Sequence, residues 1–179
     1  TTNNGGVSKK ATSSDPTVAT ALIGSNAINA SYTLSVTSIA DTATGSFNNA
    51  YSSATSHVSA SGSGDVTVTV GTGADQVVIT AAVTANTTTL TDLANTINSD
   101  SNASGRVVAS VVNIGTDGAP DYRLMLTTLE QGLDKGSLSL SADAAITELS
   151  GATTIDQATN AVFSVNGIST SITRDSNSV

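Results

Sequence analysis

The chain has no cysteine and no tryptophan, only two prolines, one histidine and six basic residues. Without cysteine it can build neither a disulfide framework nor a thiolate metal site. Aromatic residues are 3% of the sequence, so any core must be assembled from Val, Ile, Leu and Ala. Fourteen acidic residues outweigh the basic ones, for a formal net charge of −8, and the one basic pair is Lys9-Lys10. Nucleic-acid binding needs clustered Lys and Arg, so no nucleic-acid partner is expected. No apolar run approaches the ~20 residues that span a bilayer, and membrane insertion is not expected either.

Ser and Thr fill nearly a third of the positions, beside 15 Gly, which favours a β-rich chain with many turns over a helical bundle. Disorder would need low hydrophobicity and high charge, whereas 38% of residues are hydrophobic and 11% charged. At 179 residues, one or two compact domains with a modest core are expected. The acidic, hydroxyl-rich surface suits a crowded extracellular or lumenal setting.

Along the chain, residues 1–19 read as a flexible lead. Tyr32 to Ile39 alternates as a half-buried strand with Tyr32, Leu34 and Val36 on one face. Residues 41–64 hold few large apolar side chains and read as a long loop, with at most a short edge strand near Val58. Val66–Val70 and Gln76–Thr80 alternate on either side of Gly71-Thr72-Gly73, predicting a hairpin. Leu90, Leu93, Ala94 and Ile97 form one apolar stripe of a helix, and Thr89 and Asp92 are spaced as a capping pair. Strands are expected at about 106–113, 122–128 and 137–141, then a short helix at about 143–149 burying Ala144, Ala145, Ile146 and Leu149. The fold class is a β-rich α+β fold, mainly antiparallel sheet with one packed helix at about 90–99. Near the end, Asn166-Gly167 sits between two alternating runs. A type I′ turn there sets Val165 opposite Ile168, Phe163 opposite Thr170 and Ala161 opposite Ile172, with Ser164, Ser169 and Ser171 on the other face.

Reactive chemistry finds little support. His57 has no nucleophile elbow or cysteine to act on and reads as a surface histidine. Asp117 with Asp121, and Asp92 with Asp100, are too sparse for a calcium loop and read as turn and cap residues. Glu130 and Glu148 lie in separate segments, so no glycosidase pair follows from them. Gly71-Thr-Gly-Ala-Asp75 lacks the Lys-Ser/Thr of a phosphate loop and opens onto a strand. Asn29, Asn86 and Asn102 open glycosylation sequons that arise by chance in so Ser/Thr-rich a chain. No catalytic, cofactor-binding or metal-ligating residue is assigned. Exposed sheet edges are the more plausible interaction feature.

The run Ala158-x-x-Ala161-x-Phe163-x-Val165-Asn166-Gly167, continuing through Ile172-Thr173-Arg174, Ser176-Asn177 and Val179, resembles the bacterial flagellar filament-capping proteins, the hook-associated FliD family. Ala11–Ala21 followed by Ala30–Ala40 is similar to the segment leading into that family's head region. Val66–Thr128, with Thr89–Asn98, Val107–Asn113 and Arg123–Thr128, is similar to a sheet-plus-helix module shared by flagellin and hook-associated proteins. That module alone does not separate a cap from a flagellin outer domain; the opening segment and the terminal hairpin favour the cap.

The resemblance implies a non-enzymatic structural role at the flagellum tip, secreted and extracellular. Its partners would be other copies of the chain in a homo-oligomeric cap, and flagellin subunits. Host-surface glycans are a further partner class, and a surface adhesin module is the rival reading. The resemblance also implies one or two small head domains. Residues 20–60 with 152–179 would form part of a discontinuous one, and 61–151 an inserted one. With Val179 falling inside the terminal motif and no heptad pattern for the family's helical legs, the chain is expected to be a piece of a longer protein. An absence of cysteine is compatible with export of an unfolded chain. Because the turn needs φ > 0 at Gly167, Gly167→Val should cost about 1 kcal/mol or more, seen as a lowered melting temperature; an unchanged melt would remove the turn.

Overall fold

A computed structural model describes residues 9–149, 151, 153–168 and 170–178. Residues 1–8 of the expected flexible lead, and Ser169 of the terminal hairpin, lie outside the described residues.

The alternating valines of β3 (Gly64–Val70) pair antiparallel with β4 (Val77–Val83), in register from Val70 opposite Val77 to Gly64 opposite Val83. Gly71 at φ 77° and Gly73 at φ 57° make the connection, through a 3-10 turn at Gly73–Asp75. On the other side of β3 lies β7 (Leu138–Ala142), with Val70 opposite Leu138. Period-two alternation then puts Val66, Val68, Val70, Ile79, Ala81, Leu138 and Leu140 on one buried face. The second sheet has the order β5 (Val107–Asn113), β6 (Tyr122–Thr128), β2 (Thr44–Phe47), β8 (Thr153–Asp156), all antiparallel. Its inward residues, among them Ala109, Leu124, Leu126 and Phe47, join the first sheet's in one continuous core.

Helix α1 (Leu90–Ser99) packs against β4, β5 and β6, burying Leu90, Leu93, Ala94 and Ile97. The expected capping pair is present in both directions. Thr89 Oγ1 accepts from Asp92 N–H at 3.1 Å, and Asp92 Oδ2 accepts from Thr89 N–H at 3.1 Å. A single helical turn, α2 (Leu133–Gly136), precedes β7.

A third, smaller sheet has the order β1 (Leu34–Ser38), β9 (Ala161–Val165), β10 (Ile172–Arg174). It meets the larger body at the bridge between Asp41 and Thr159, where the Asp41 N–H donates to the Thr159 carbonyl at 3.0 Å.

Five expectations need correction, the last of them at the terminal hairpin. Residues 41–64 are not a plain loop: Thr44–Phe47 is β2, an interior strand between β6 and β8. Near Val58 there is no edge strand, only an isolated bridge between His57 and Thr89, although Val58 itself is fully buried. Residues 143–149 form successive turns, closed by Ile146 N–H to Asp143 O and Leu149 N–H to Ile146 O; Ile146 and Leu149 are buried while Ala144 and Ala145 are exposed. The three-residue spacing of those two bonds suits tight turns, and the segment is too short to sustain an α-helix. Strand β1 is present, but Tyr32, Leu34 and Val36 are 72%, 39% and 38% exposed, because nothing in the described chain covers that face.

The terminal hairpin forms with a different turn and register. Ile168 N–H donates to Val165 O as expected, but Phe163 faces Ile172 and Ala161 faces Arg174, a slip of two residues. An even slip keeps each side chain on its face, so Ala161 and Phe163 remain buried. Gly167 has φ 84° but Asn166 does not share it, the signs of a type II turn rather than type I′. Asn166 stays extended because it continues the β1–β9 ladder: its N–H donates to Thr33 O at 3.0 Å and its Oδ1 accepts from Thr33 N–H at 2.8 Å.

Gly45 sets the spacing between the two large sheets. A Cβ there would lie 2.8 Å from Leu138 Cδ2 and 3.2 Å from Leu140 Cδ1, both on β7. Gly45→Val should overpack this contact and cost roughly 1–3 kcal/mol. Urea denaturation checks it: an unchanged midpoint would mean the sheets separate without penalty.

Candidate functional site

The residues weighed for chemistry are scattered, and each is either held by a local partner or exposed. His57 is exposed, and no hydrogen bond of its ring is present among the described residues. Asp121 is held by Arg123, whose Nε and Nη2 donate to its two carboxylate oxygens at 2.9 and 2.7 Å. That fork holds the Asp121 carboxyl below the usual carboxylate range. Asp117 lies exposed in the turn bridged by Thr116 and Ala119. Asp92 is the third residue of α1 and closes the capping box with Thr89, whose hydrogen bonds lower its pKa. Asp100 Oδ1 accepts from Asn102 N–H. Glu148 accepts from Ala60 N–H, while Glu130 pairs with Arg106 at 3.0 Å and Lys135 at 4.0 Å. No group of three His, Cys, Asp or Glu is close enough to hold a metal among the described residues. The Gly71–Asp75 loop is a hairpin turn leading into β4.

Two of the three sequon asparagines serve the backbone. Asn86 sits at φ 52°, and its Nδ2 donates to Ala60 O; Asn102 Nδ2 donates to Val78 O at 3.2 Å. Asn29 is exposed. The apolar stripe of α1 is buried in the core.

What sequence reading missed is a repeated use of side-chain amides against strand backbones. Asn98 Nδ2 donates to Ala109 O and its Oδ1 accepts from Ala109 N–H, both at 2.8 Å, on the outer edge of β5. Gln157 makes the same pair with Leu138 on the outer edge of β7, at 2.7 and 3.1 Å. Asn177 makes it with Ala40, in the link that follows β1, at 2.9 and 2.7 Å. A carboxamide carries one donor and one acceptor in the geometry of a peptide, so each stands in for a neighbouring strand. Edge backbone groups left open would invite another chain. Arg106 adds a different tie: its guanidinium donates to Asp75 O at 2.7 Å and Lys135 O at 3.2 Å, joining the β3–β4 turn to α2. Only spacing in three dimensions marks these residues; in sequence they look like ordinary polar surface.

Comparison with known proteins gives the chain's family. No family model matches the chain. Flagellar hook-associated protein 2 of Escherichia coli strain K12 is 32% identical over 145 residues, covering 80% of this chain and 29% of that protein. The crystal structure of the flagellar cap protein FliD D2-D3 domains from Escherichia coli matches with a TM-score of 0.65 at 28% identity, over 87% of this chain and 80% of that one. The chain belongs to the FliD family of flagellar cap proteins. FliD (HAP2) from Pseudomonas aeruginosa, at 20% identity and a TM-score of 0.63, covers 86% of this chain and 70% of its own, and shares the fold. This FliD-family chain spans less than a third of the length of the curated relatives it matches.

Replacing the Asn98 amide tests the edge cover. Asn98→Ala leaves the Ala109 N–H and C=O without their partner and should cost about 1–3 kcal/mol. It should also raise aggregation near the melting temperature, measured by light scattering; equal stability and scattering would mean that the β5 edge needs no cover.

Proposed function

We propose that this chain forms part of the head of a flagellar filament cap, outside the cell at the distal tip, where the cap oligomer guides flagellin subunits into place. The observation that carries this reading is the match to FliD D2-D3 domains over 87% of the chain. The mechanism is contact and shape, without bond-making. Its partners are other copies of the chain and flagellin.

The division into head domains is drawn at the Asp41–Thr159 bridge. Residues 42–158 form the inserted domain, wider than the 61–151 expected from sequence, because β2 and β8 share a sheet with β6. Residues 20–40 with 160–178 form part of a neighbouring discontinuous domain. Further chain of the parent protein completes that domain and covers Leu34 and Val36.

An adhesin that stacks sugars on aromatic rings is less favoured. Phe47, Tyr51 and Phe163 are buried and Tyr122 is half-buried, which leaves Tyr32 as the one strongly exposed ring among the described residues.

Deleting the parent gene should leave short or absent filaments with flagellin released into the medium, seen by electron microscopy and immunoblotting. The full-length protein should restore growth and this chain alone should not. Filaments of normal length in the deletion strain would overturn the cap reading.

A further inference from the structure

The outer edge of β4 lacks the two-bond amide cover found at β5 and β7. In β3, Gly71 N–H donates to Ser137 O and Asp143 N–H donates to Asp65 O, so its odd-numbered residues bond towards β7 and its even-numbered ones towards β4. With Val68 opposite Ile79 and Val66 opposite Ala81, the odd-numbered residues of β4 bond to β3. The N–H and C=O groups of Val78, Thr80 and Ala82 therefore point outwards. Asn102 takes the Val78 carbonyl. The outward groups of Thr80 and Ala82 have no partner among the described residues. By contrast, Asn98 covers the β5 edge at Ala109 and Gln157 covers β7 at Leu138.

Beside this open edge runs a shallow groove of about 460 Å³, lined by Thr80 and by the polar side of α1: Asp92, Asn95, Thr96, Ser99 and Asp100. Neither Asp92 nor Asp100 has a cationic partner among the described residues. A strand added to β4 would lay alternate side chains against this wall, where a lysine fits and a carboxylate is repelled.

The chain carries such a segment itself. Lys9-Lys10-Ala11-Thr12-Ser13-Ser14 is without regular secondary structure, has small side chains after its lysines, and precedes Pro16, where strand pairing must stop. Lys9 is engaged with the carbonyls of Ser25 and Ala27, whereas Lys10 is exposed and makes no hydrogen bond or ion pair among the described residues. The other basic residues lie apart: Arg106 and Lys135 pair with Glu130, Arg123 with Asp121, and Arg174 sits on β10.

We propose that the open edge of β4 receives residues 9–14 of a second copy of this chain as an added strand, with Lys10 turned to the acidic wall of the groove. The contact needs only two copies, so it stands or falls independently of whether the parent protein caps a filament.

Sedimentation equilibrium of the whole chain tests it. The wild-type chain should self-associate with increasing concentration, and Lys10→Glu should weaken this by about tenfold, through exchange of an attraction for a repulsion. Thr80→Pro removes one outward N–H without touching the β3–β4 ladder and should abolish the association. Asp100→Lys should weaken it alone and restore it when combined with Lys10→Glu, a recovery that a folding defect cannot produce. A fluorescent peptide of residues 9–14 should bind the chain, and the same peptide methylated on alternate backbone nitrogens should not. A chain that stays monomeric throughout, or association indifferent to both Lys10→Glu and the charge swap, would overturn the assignment. Equal binding of the methylated peptide would exclude strand addition.

Discussion

The close approach of two sheets at Gly45 is the constraint on which the body depends. With 3% aromatic residues, the chain has few bulky side chains to hold its sheets apart or to fill a wide gap. The core is closed by bringing β2 down on β7 until the leucine methyls of Leu138 and Leu140 occupy the space a Cβ would need. Strand β2 in turn pairs with β6 on one side and β8 on the other. A strand of Thr, Gly, Ser and Phe thereby ties residues from both ends of the chain into one core. Helix α1 closes the side where β4 and β5 leave the layers open.

Legibility in the sequence followed how much of each element's reason for existing was local. The β3–β4 hairpin, helix α1 with its capping pair, and strands β5 to β7 carry their own alternation, stripe or cap, and the structure has them at the positions read. Strand β2 carries almost none of this. Its glycine is favourable only because of β7, nearly a hundred residues away, so tertiary contact overrides a poor local propensity. The terminal turn shows the same rule at smaller scale. Asn-Gly invites φ > 0 at both residues, but the ladder from Asn166 to Thr33 holds the asparagine extended. Segment 143–149 has apolar residues at helical spacing, yet buries only Ile146 and Leu149.

For the site, the sequence was informative chiefly in its lacks. Sparse carboxylates and a lone histidine gave no reason to expect reactive chemistry. The interaction features themselves were not legible. Whether an asparagine caps an edge strand or merely faces water depends on which backbone lies beside it. Asn98 and Asn102 differ little in sequence context, yet one binds both backbone groups of a strand residue and the other takes a single carbonyl. Family resemblance was readable because the terminal hairpin joins several specific residues in a fixed order.

The bridge between Asp41 and Thr159 brings the strand entering the body and the strand leaving it side by side. A pull applied to the two flanks would open the β1–β9 ladder from Leu34 and Val165 inwards, one bond at a time, and reach that pair last, while the sandwich beyond carried no tension. Growth or loss of whole loops within the sandwich would likewise leave the two attachment points where they are. Shape within the sandwich can therefore change without moving the two flanks apart.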